Sequence, residues 1–399
     1  MRFLHTADWH LGRLFHQVHL TEDQAFVLRQ VIDIVRDARV DAVVVAGDVY
    51  DRAVPPPDAV KLLDDTLSEL LLGLKVQTIL AAGNHDSPER LSFGARVLSH
   101  QGLHLFGLPS PDLAPVVLGD GHGPVSFYVA PYSEPALIRE RLANTEVVDH
   151  ESGMRALVAS MVGAHPRHGR SVFVGHAFVS GGLGSDSERP LSVGGAGAVD
   201  ASNFDGFQYV ALGHLHRPQD IRRVGADLQA RPNAVRYAGA LLEYSFDEVG
   251  QHRSVTIVDI DAAGVSRTEE ISLVPRRELR RIEGTLEQLL RPEAHEAHPL
   301  PAAAREDYIV ARLLDRHPVL DPIGRLRAIY PNILCIERAP DVVSGAEGQP
   351  AGDRRQLDYG QLFANFFKEV TGDAPTPEEE AVFGSTADSV AGRDREVRA

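Results

Sequence analysis

Residues 41–51 read Asp-Ala-Val-Val-Val-Ala-Gly-Asp-Val-Tyr-Asp, and they decide the fold. Asp41–Ala46 is a short apolar run rich in β-branched side chains, the pattern of a strand buried on both faces. Glycine and aspartate follow at once, so the chain turns at the strand's carboxyl end and presents a carboxylate there. A strand of this kind needs cover on each side, and its neighbours supply it. Upstream, Phe26, Val27, Val31, Ile34 and Val35 fall at helical spacing within residues 23–38. Downstream, Pro55-Pro56-Pro57 breaks the chain, and a helix is predicted from Pro57 to about Leu72. Val76–Ala82 is then a second buried strand, and Arg2–Thr6 precedes them all. This strand–helix–strand alternation predicts a layered α/β core.

After Phe106 the β-rich runs shorten: Val125–Ala130, Ser171–Gly175, Tyr209–Leu212, Val235–Ala238 and Ser254–Asp259. They predict a second sheet packed on the first, a four-layer α/β/β/α sandwich occupying residues 1–274. A smaller unit over residues 275–339 reads as βαβαβ. Its strands are Glu278–Glu283, Tyr308–Leu314 and Ile333–Glu337, its helices Leu286–Leu290 and Ile323–Ile329, and Pro292–Ala304 is its loop. Residues 340–399 begin as a polar linker with Gly345, Gly348, Pro350 and Gly352. Two helices follow: Tyr359–Val370, with Leu362, Phe363, Phe366 and Phe367 on one side, and Thr376–Phe383 running on into an acidic end.

Composition narrows the function classes. A chain of 399 residues predicts two or three units, and 43% hydrophobic with 24% charged residues is a soluble globular profile. No apolar run approaches the ~20 residues that span a bilayer. The start, MRFLHTADWH, reads as a strand and not as a signal peptide, so the expected location is cytoplasmic with no membrane contact. The single cysteine, Cys335, excludes a disulfide framework and a thiolate-rich zinc site; it reads as a small apolar residue in its strand. A net charge of −16 counts against a free-standing nucleic-acid binder. A DNA-directed role then needs a partner, a local basic cluster or bound cations to grip phosphate.

The chemistry lies in five short motifs, each directly after a predicted strand: Asp8-Trp9-His10, Gly47-Asp48-Val49-Tyr50-Asp51, Gly83-Asn84-His85-Asp86, Gly175-His176 and Gly213-His214-Leu215-His216. Layered α/β proteins build sites at the carboxyl ends of their strands. The set offers carboxylates, imidazoles and a carboxamide with no thiolate, which suits Mn²⁺, Fe²⁺ or Zn²⁺ better than calcium. Asp8 and His10 stand two apart, as do His214 and His216, so each pair can serve one ion or split between two. Asp48 can bridge two cations through its two oxygens, and Asn84 can ligate through its carbonyl oxygen. His85 is set apart as the group that meets a phosphate or leaving oxygen. Asp86 is expected to orient the His85 ring. Any one motif alone reads as an ordinary turn or a satisfied structural histidine. Joint occurrence at five strand ends does not. His5, His16, His19, His100, His104, His165 and His168 fall outside the set and read as structural. Gly181–Gly184 and Gly194–Gly197 lead into no Gly-Lys-Ser/Thr, and no Gly-x-Ser-x-Gly accompanies the histidines, so neither a P-loop nor a serine hydrolase is supported.

In this order the motifs resemble the calcineurin-like metallophosphoesterase superfamily over about residues 1–245. More narrowly, the chain resembles the family of nuclease subunits of bacterial SbcCD complexes. That likeness rests on His5–Gly12, Val45–Asp51, Ala82–Ser87, Tyr209–Gln219 and Tyr244–Glu248. The resemblance implies one ion on Asp8, His10, Asp48 and His216, a second on Asp48, Asn84, His176 and His214, Mn²⁺ as the metal, and His85 as the catalytic histidine. It further implies 3′–5′ exonuclease action on double-stranded DNA and endonucleolytic opening of hairpins and blocked ends. Residues 275–339 would be a capping domain beside the DNA. The Tyr359–Val370 helix would dock on an SbcC-type ATPase subunit, within a heterotetramer holding two copies of this chain. Asp51 stands where archaeal and eukaryotic relatives carry histidine, and Tyr237–Leu242 lacks the family's usual Gly-Ser-Pro. A phosphatase or phosphodiesterase acting on a small phosphoester would show the same site, but has no need of the module after Pro275 or the aromatic helix. A relic site on a non-enzymatic scaffold would not be expected to keep the complete ligand set.

Overall fold

The computed structural model describes residues 1–109, 112–165, 167, 169–191, 197–221, 234–291, 301–315, 319–338 and 359–396. The expected linker at 340–358, and residues 292–300 of the expected Pro292–Ala304 loop, lie outside the described residues, as do His168 and residues 194–196. Residues 1–339 form one compact unit and residues 340–399 a second. Among the described residues no helix is long and apolar enough to cross a membrane.

Two six-stranded sheets form the middle of the first unit. In the first, Arg2–Thr6, Ala42–Ala46, Gln77–Ala81 and Leu103–Phe106 run parallel in that spatial order. In the second, Gly123–Ala130, Arg170–His176, Tyr209–Gly213 and Ala234–Tyr237 are the parallel set. Ser254–Ile260, expected with the second sheet, instead pairs antiparallel with Arg2–Thr6 and extends the first, followed by Ser266–Ser272. A strand's hydrophobic pattern does not say which sheet it joins; the partner it pairs with does.

The apolar run at 42–46 explains the layering. Val43 and Val45 point to one side and pack with Val27, Leu28, Val31 and Val35 of the Thr21–Ala38 helix. Ala42, Val44 and Ala46 point to the other and meet Phe127, Val172, Val174 and Ala211 of the second sheet. That sheet turns Phe173, Val210 and Leu212 outward onto Met154, Leu157 and Met161 of the His150–Ala164 helix. The order is helix, sheet, sheet, helix. Each fully buried valine or phenylalanine contributes about 1.5–3 kcal/mol relative to exposure, so the packed faces fix where the strand ends lie.

Leu279–Gly284, Tyr308–Leu313 and Ile333–Arg338 form a three-stranded parallel sheet with its own core of Leu286, Leu289, Ile309, Leu326 and Tyr330. Four arginines at the start of this module, Arg276, Arg277, Arg280 and Arg281, are paired with carboxylates. Arg276 bonds Glu22, Arg277 lies 3.6 Å from Asp23, Arg280 is 2.6 Å from Asp307, and Arg281 is 3.6 Å from Glu337. In the second unit, Tyr359–Thr371 and Pro377–Glu396 are helical. Phe363 stacks on Phe383 with ring centroids 4.2 Å apart, and Phe366 is 62% exposed.

Candidate metal centre

The same local device delivers several of the polar side chains. In Asp8-Trp9-His10, Trp9 is driven into the helix-side core and donates to Thr6 Oγ1 at 2.9 Å, leaving its two neighbours to turn the other way. Leu215 does this between His214 and His216, buried in the opposite helix-side core. The backbone is left-handed at Asp8 (φ 53°), His10 (φ 46°), Asp48 (φ 50°) and His214 (φ 108°). Each such residue costs about 1–3 kcal/mol, and concentration of that strain in one pocket marks a functional site. Buried partners hold it in place. Gln24 donates to the carbonyls of Trp9 at 3.1 Å and His10 at 2.7 Å, and Tyr244 Oη donates to Trp9 at 2.7 Å.

The glycines ahead of the motifs make room for other ligands. A Cβ on Gly47 (φ 98°) would stand 2.1 Å from His176 Nδ1, and one on Gly83 would stand 2.1 Å from Asp48 Oδ1. Gly47→Ala is therefore expected to push His176 out of place and weaken metal uptake at least about tenfold, an effect of the size seen when a ligand loses its support. Titration with Mn²⁺ followed by electron paramagnetic resonance checks it; unchanged uptake would mean the ring's position is unimportant.

All the candidate ligands converge. His10 Nε2 faces His216 Nε2 at 3.0 Å and Asp48 Oδ2 at 3.6 Å. His176 Nε2 stands 3.5 Å from the same Asp48 oxygen and 2.9 Å from Asn84 Oδ1. Asp8 Oδ1 accepts from the His214 N–H at 2.9 Å and lies 3.9 Å from His176 Nδ1. Asp8–His10–His216 and Asp8–Asp48–His176 are groups whose ligand atoms lie within 4.8 Å of one another. The His214 ring sits beside them, its centroid 5.4 Å from that of His176. Asp8, His10, Asp48, His176, His214 and His216 are each at most 4% exposed.

This arrangement fits a cation. His176 Nδ1 donates to the Ala46 carbonyl at 3.0 Å, so in the neutral ring Nε2 aims a lone pair at two further acceptors. Two imidazole Nε2 atoms facing at 3.0 Å are likewise repulsive unless a proton or a metal lies between them. His10 Nδ1 is buried with no hydrogen-bond partner. Burial opposes the charge on His176, but Asp48 and Asp8 outweigh it and raise its pKa to about 9. Burial, with the neighbouring His176, lowers His214 to about 3 and keeps it neutral. Burial also resists ionisation of Asp48, yet His176, His10 and His85 hold its carboxyl well below the usual range. Nitrogen and oxygen donors of this kind suit a transition metal, whose binding would displace the His176 proton.

His85 stands at the edge of this cluster. Its Nε2 is 4.0 Å from Asp48 Oδ2, and its Nδ1 donates to the Asp51 carbonyl at 2.8 Å. Burial lowers its pKa against the opposing charge of Asp48, and Arg189 lowers it further. Asp86 does not orient the His85 ring as expected. Its carboxylate accepts from the backbone N–H groups of Val49, Tyr50 and Gly83 at 3.1, 2.9 and 2.9 Å, tying the two motif turns together. A carboxylate beside three unpaired backbone donors satisfies those first. His5 is structural: Nδ1 meets Tyr209 Oη at 2.9 Å and Nε2 the Leu212 carbonyl at 3.2 Å.

An α/β/β/α sandwich with acidic and imidazole side chains gathered at its strand ends defines a metallophosphoesterase. The chain belongs to the calcineurin-like phosphoesterase family, whose model matches residues 1–218, and within it to the SbcD family of SbcCD nucleases. It is 32% identical to the SbcD chain of the SbcCD nuclease of Staphylococcus saprophyticus, over 94% of both chains. To that of Staphylococcus epidermidis it is 29% identical, over 93% of this chain and 94% of the relative. Residues 275–371 match the model described as the type 5 capsule protein repressor C-terminal domain. A dimetal phosphatase from Danio rerio aligns over 69% of this chain and 99% of its own, at 14% identity and a TM-score of 0.39. The protein is thus a metal-dependent phosphodiesterase of a nuclease family.

Proposed function

We propose that this chain is the nuclease component of an SbcCD-type complex. It would degrade double-stranded DNA 3′–5′ and open hairpins and blocked ends, together with an SbcC-type ATPase, in repair, recombination and replication in the cytoplasm. The observation that carries the site assignment is Asp48 Oδ2, 3.6 Å from His10 Nε2 and 3.5 Å from His176 Nε2, a carboxylate standing between two imidazole groups. Asp8, His10, Asp48 and His216 would hold one Mn²⁺, and Asp48, Asn84, His176 and His214 the other. Two such ions supply an activated water and stabilise the charge that develops at phosphorus. The Asp51 carbonyl keeps a proton on His85 Nδ1, so a second proton, when the ring is charged, sits on Nε2 and is available to the leaving oxygen.

Residues 1–274 would be the nuclease domain, 275–339 the capping domain and 340–399 the partner-docking segment. The net charge of −16 and the ion-paired arginines at 276–281 support an ATPase partner as the source of much of the DNA affinity. The 62% exposure of Phe366 supports docking through the Tyr359–Thr371 helix. Two copies of this chain would share a heterotetramer with the ATPase subunits, as the family resemblance implies.

The test uses purified protein with Mn²⁺, hairpin DNA and a small phosphodiester, with and without the ATPase partner. DNA cleavage that the partner strengthens is expected. Turnover of the small ester alone, with DNA untouched even in the complex, would leave a generic phosphodiesterase or phosphatase as the better reading.

A further inference from the structure

His216 has more support behind it than any other ligand candidate. Its N–H donates to Glu188 Oε1 at 2.8 Å, and its carbonyl accepts from Arg253 Nη1 at 2.5 Å. Its Nδ1 stands 2.5 Å from Ser187 Oγ and 3.3 Å from Glu248 Oε1. Glu248 is wholly buried, and its Oε2 accepts from Arg253 Nη2 at 2.6 Å and from the Tyr244 N–H at 2.7 Å. Its Oε1 takes the hydroxyls of Ser185, at 2.6 Å, and Ser187.

An ionised carboxylate only accepts, so the 3.3 Å contact between Glu248 Oε1 and the ring calls for a proton on Nδ1. His216 is held with Nδ1–H toward Glu248 and Ser187, and its Nε2 lone pair faces inward to His10 at 3.0 Å. A buried ion pair adds little net stability over an apolar pair, because removing two charges from water is costly. Its value here is positional.

We propose that Glu248, with Arg253 as its counter-charge, is a positioning residue that locks His216 in the tautomer required for metal binding. The proposal rests on the two-metal reading above, and no part of it touches the reacting atoms. Carboxylates that fix a ligating imidazole alter metal affinity by about 10–100-fold when removed.

The experiment titrates the full-length protein with Mn²⁺ alone, read by electron paramagnetic resonance and calorimetry, beside thermal unfolding of the metal-free form. For Glu248→Gln, one ion is expected to weaken about 10–100-fold while the other stays within about twofold of wild type. Glu248→Asp should recover part of the loss. If Glu248→Gln lowers the melting temperature of the metal-free protein, the double variant Glu248→Gln/Arg253→Met, which leaves no charge buried alone, decides by the same readout. Two ions bound with wild-type affinity, or both weakened equally, would overturn the proposal. A wild-type chain that takes up fewer than two ions overturns the two-metal reading, and this inference with it.

Discussion

Replacing His85 with alanine is expected to slow cleavage of hairpin DNA by about 10²–10⁴-fold, the range lost with a general acid, while both ions remain bound. The separation follows from where each atom of His85 acts. Its backbone N–H donates to Asp48 Oδ1 at 2.9 Å, and alanine keeps that bond. Its ring Nδ1 is committed to the Asp51 carbonyl, and Nε2 lies 4.0 Å from Asp48 Oδ2, beyond hydrogen-bond distance. The imidazole therefore leaves without taking a ligand's support. Single-turnover cleavage by the complex in Mn²⁺ gives the rate, and the Mn²⁺ count of the variant gives the occupancy. Loss of an ion along with activity would place His85 among the ligands instead.

What could be read from the chain alone follows the range of each interaction. Asp48 and the run before it were legible because a buried strand, its glycine and its carboxylate all lie within eleven consecutive residues. Motifs of this kind specify their own turn. The partners of His216 were not legible as partners. Glu248 lies in the Tyr244–Glu248 segment that carries the family likeness, but nothing along the chain joins it or Arg253 to a histidine 32 and 37 residues earlier. Only the closing of the first sheet by Ser254–Ile260 brings them behind the ring. The same long-range pairing explains why that strand was expected in the wrong sheet. Asp86 shows a different limit. Its motif announced a carboxylate beside a histidine, but not the three backbone donors from two turns that take up that carboxylate. Arg276, Arg277, Arg280 and Arg281 are neighbours along the chain, whereas Glu22, Asp23, Asp307 and Glu337 reach them from elsewhere in the fold.

Asp48→Asn is expected to have the largest effect on the site with the least effect on the fold. Asp48 is 2% exposed and adopts a left-handed backbone at φ 50°, which asparagine tolerates better than most residues. An amide oxygen can also keep the 2.9 Å bond from the His85 N–H. What asparagine cannot supply is charge. Two divalent ions held side by side would repel each other, and the Asp48 carboxylate would offset part of that repulsion. Asp48 Oδ2 also neutralises the environment of His10 and His176, and without it burial acts on His176 with less opposition. The variant should therefore unfold near the wild-type temperature in the absence of metal but take up at most one ion. Its cleavage rate should fall below about a thousandth of wild type, a loss of roughly 4 kcal/mol in transition-state stabilisation. Calorimetric titration with Mn²⁺ and a cleavage assay on the same preparation test both halves. Retention of two ions would show that Asp48 does not bridge them, and Asp8, which meets both ligand groups, would take that place.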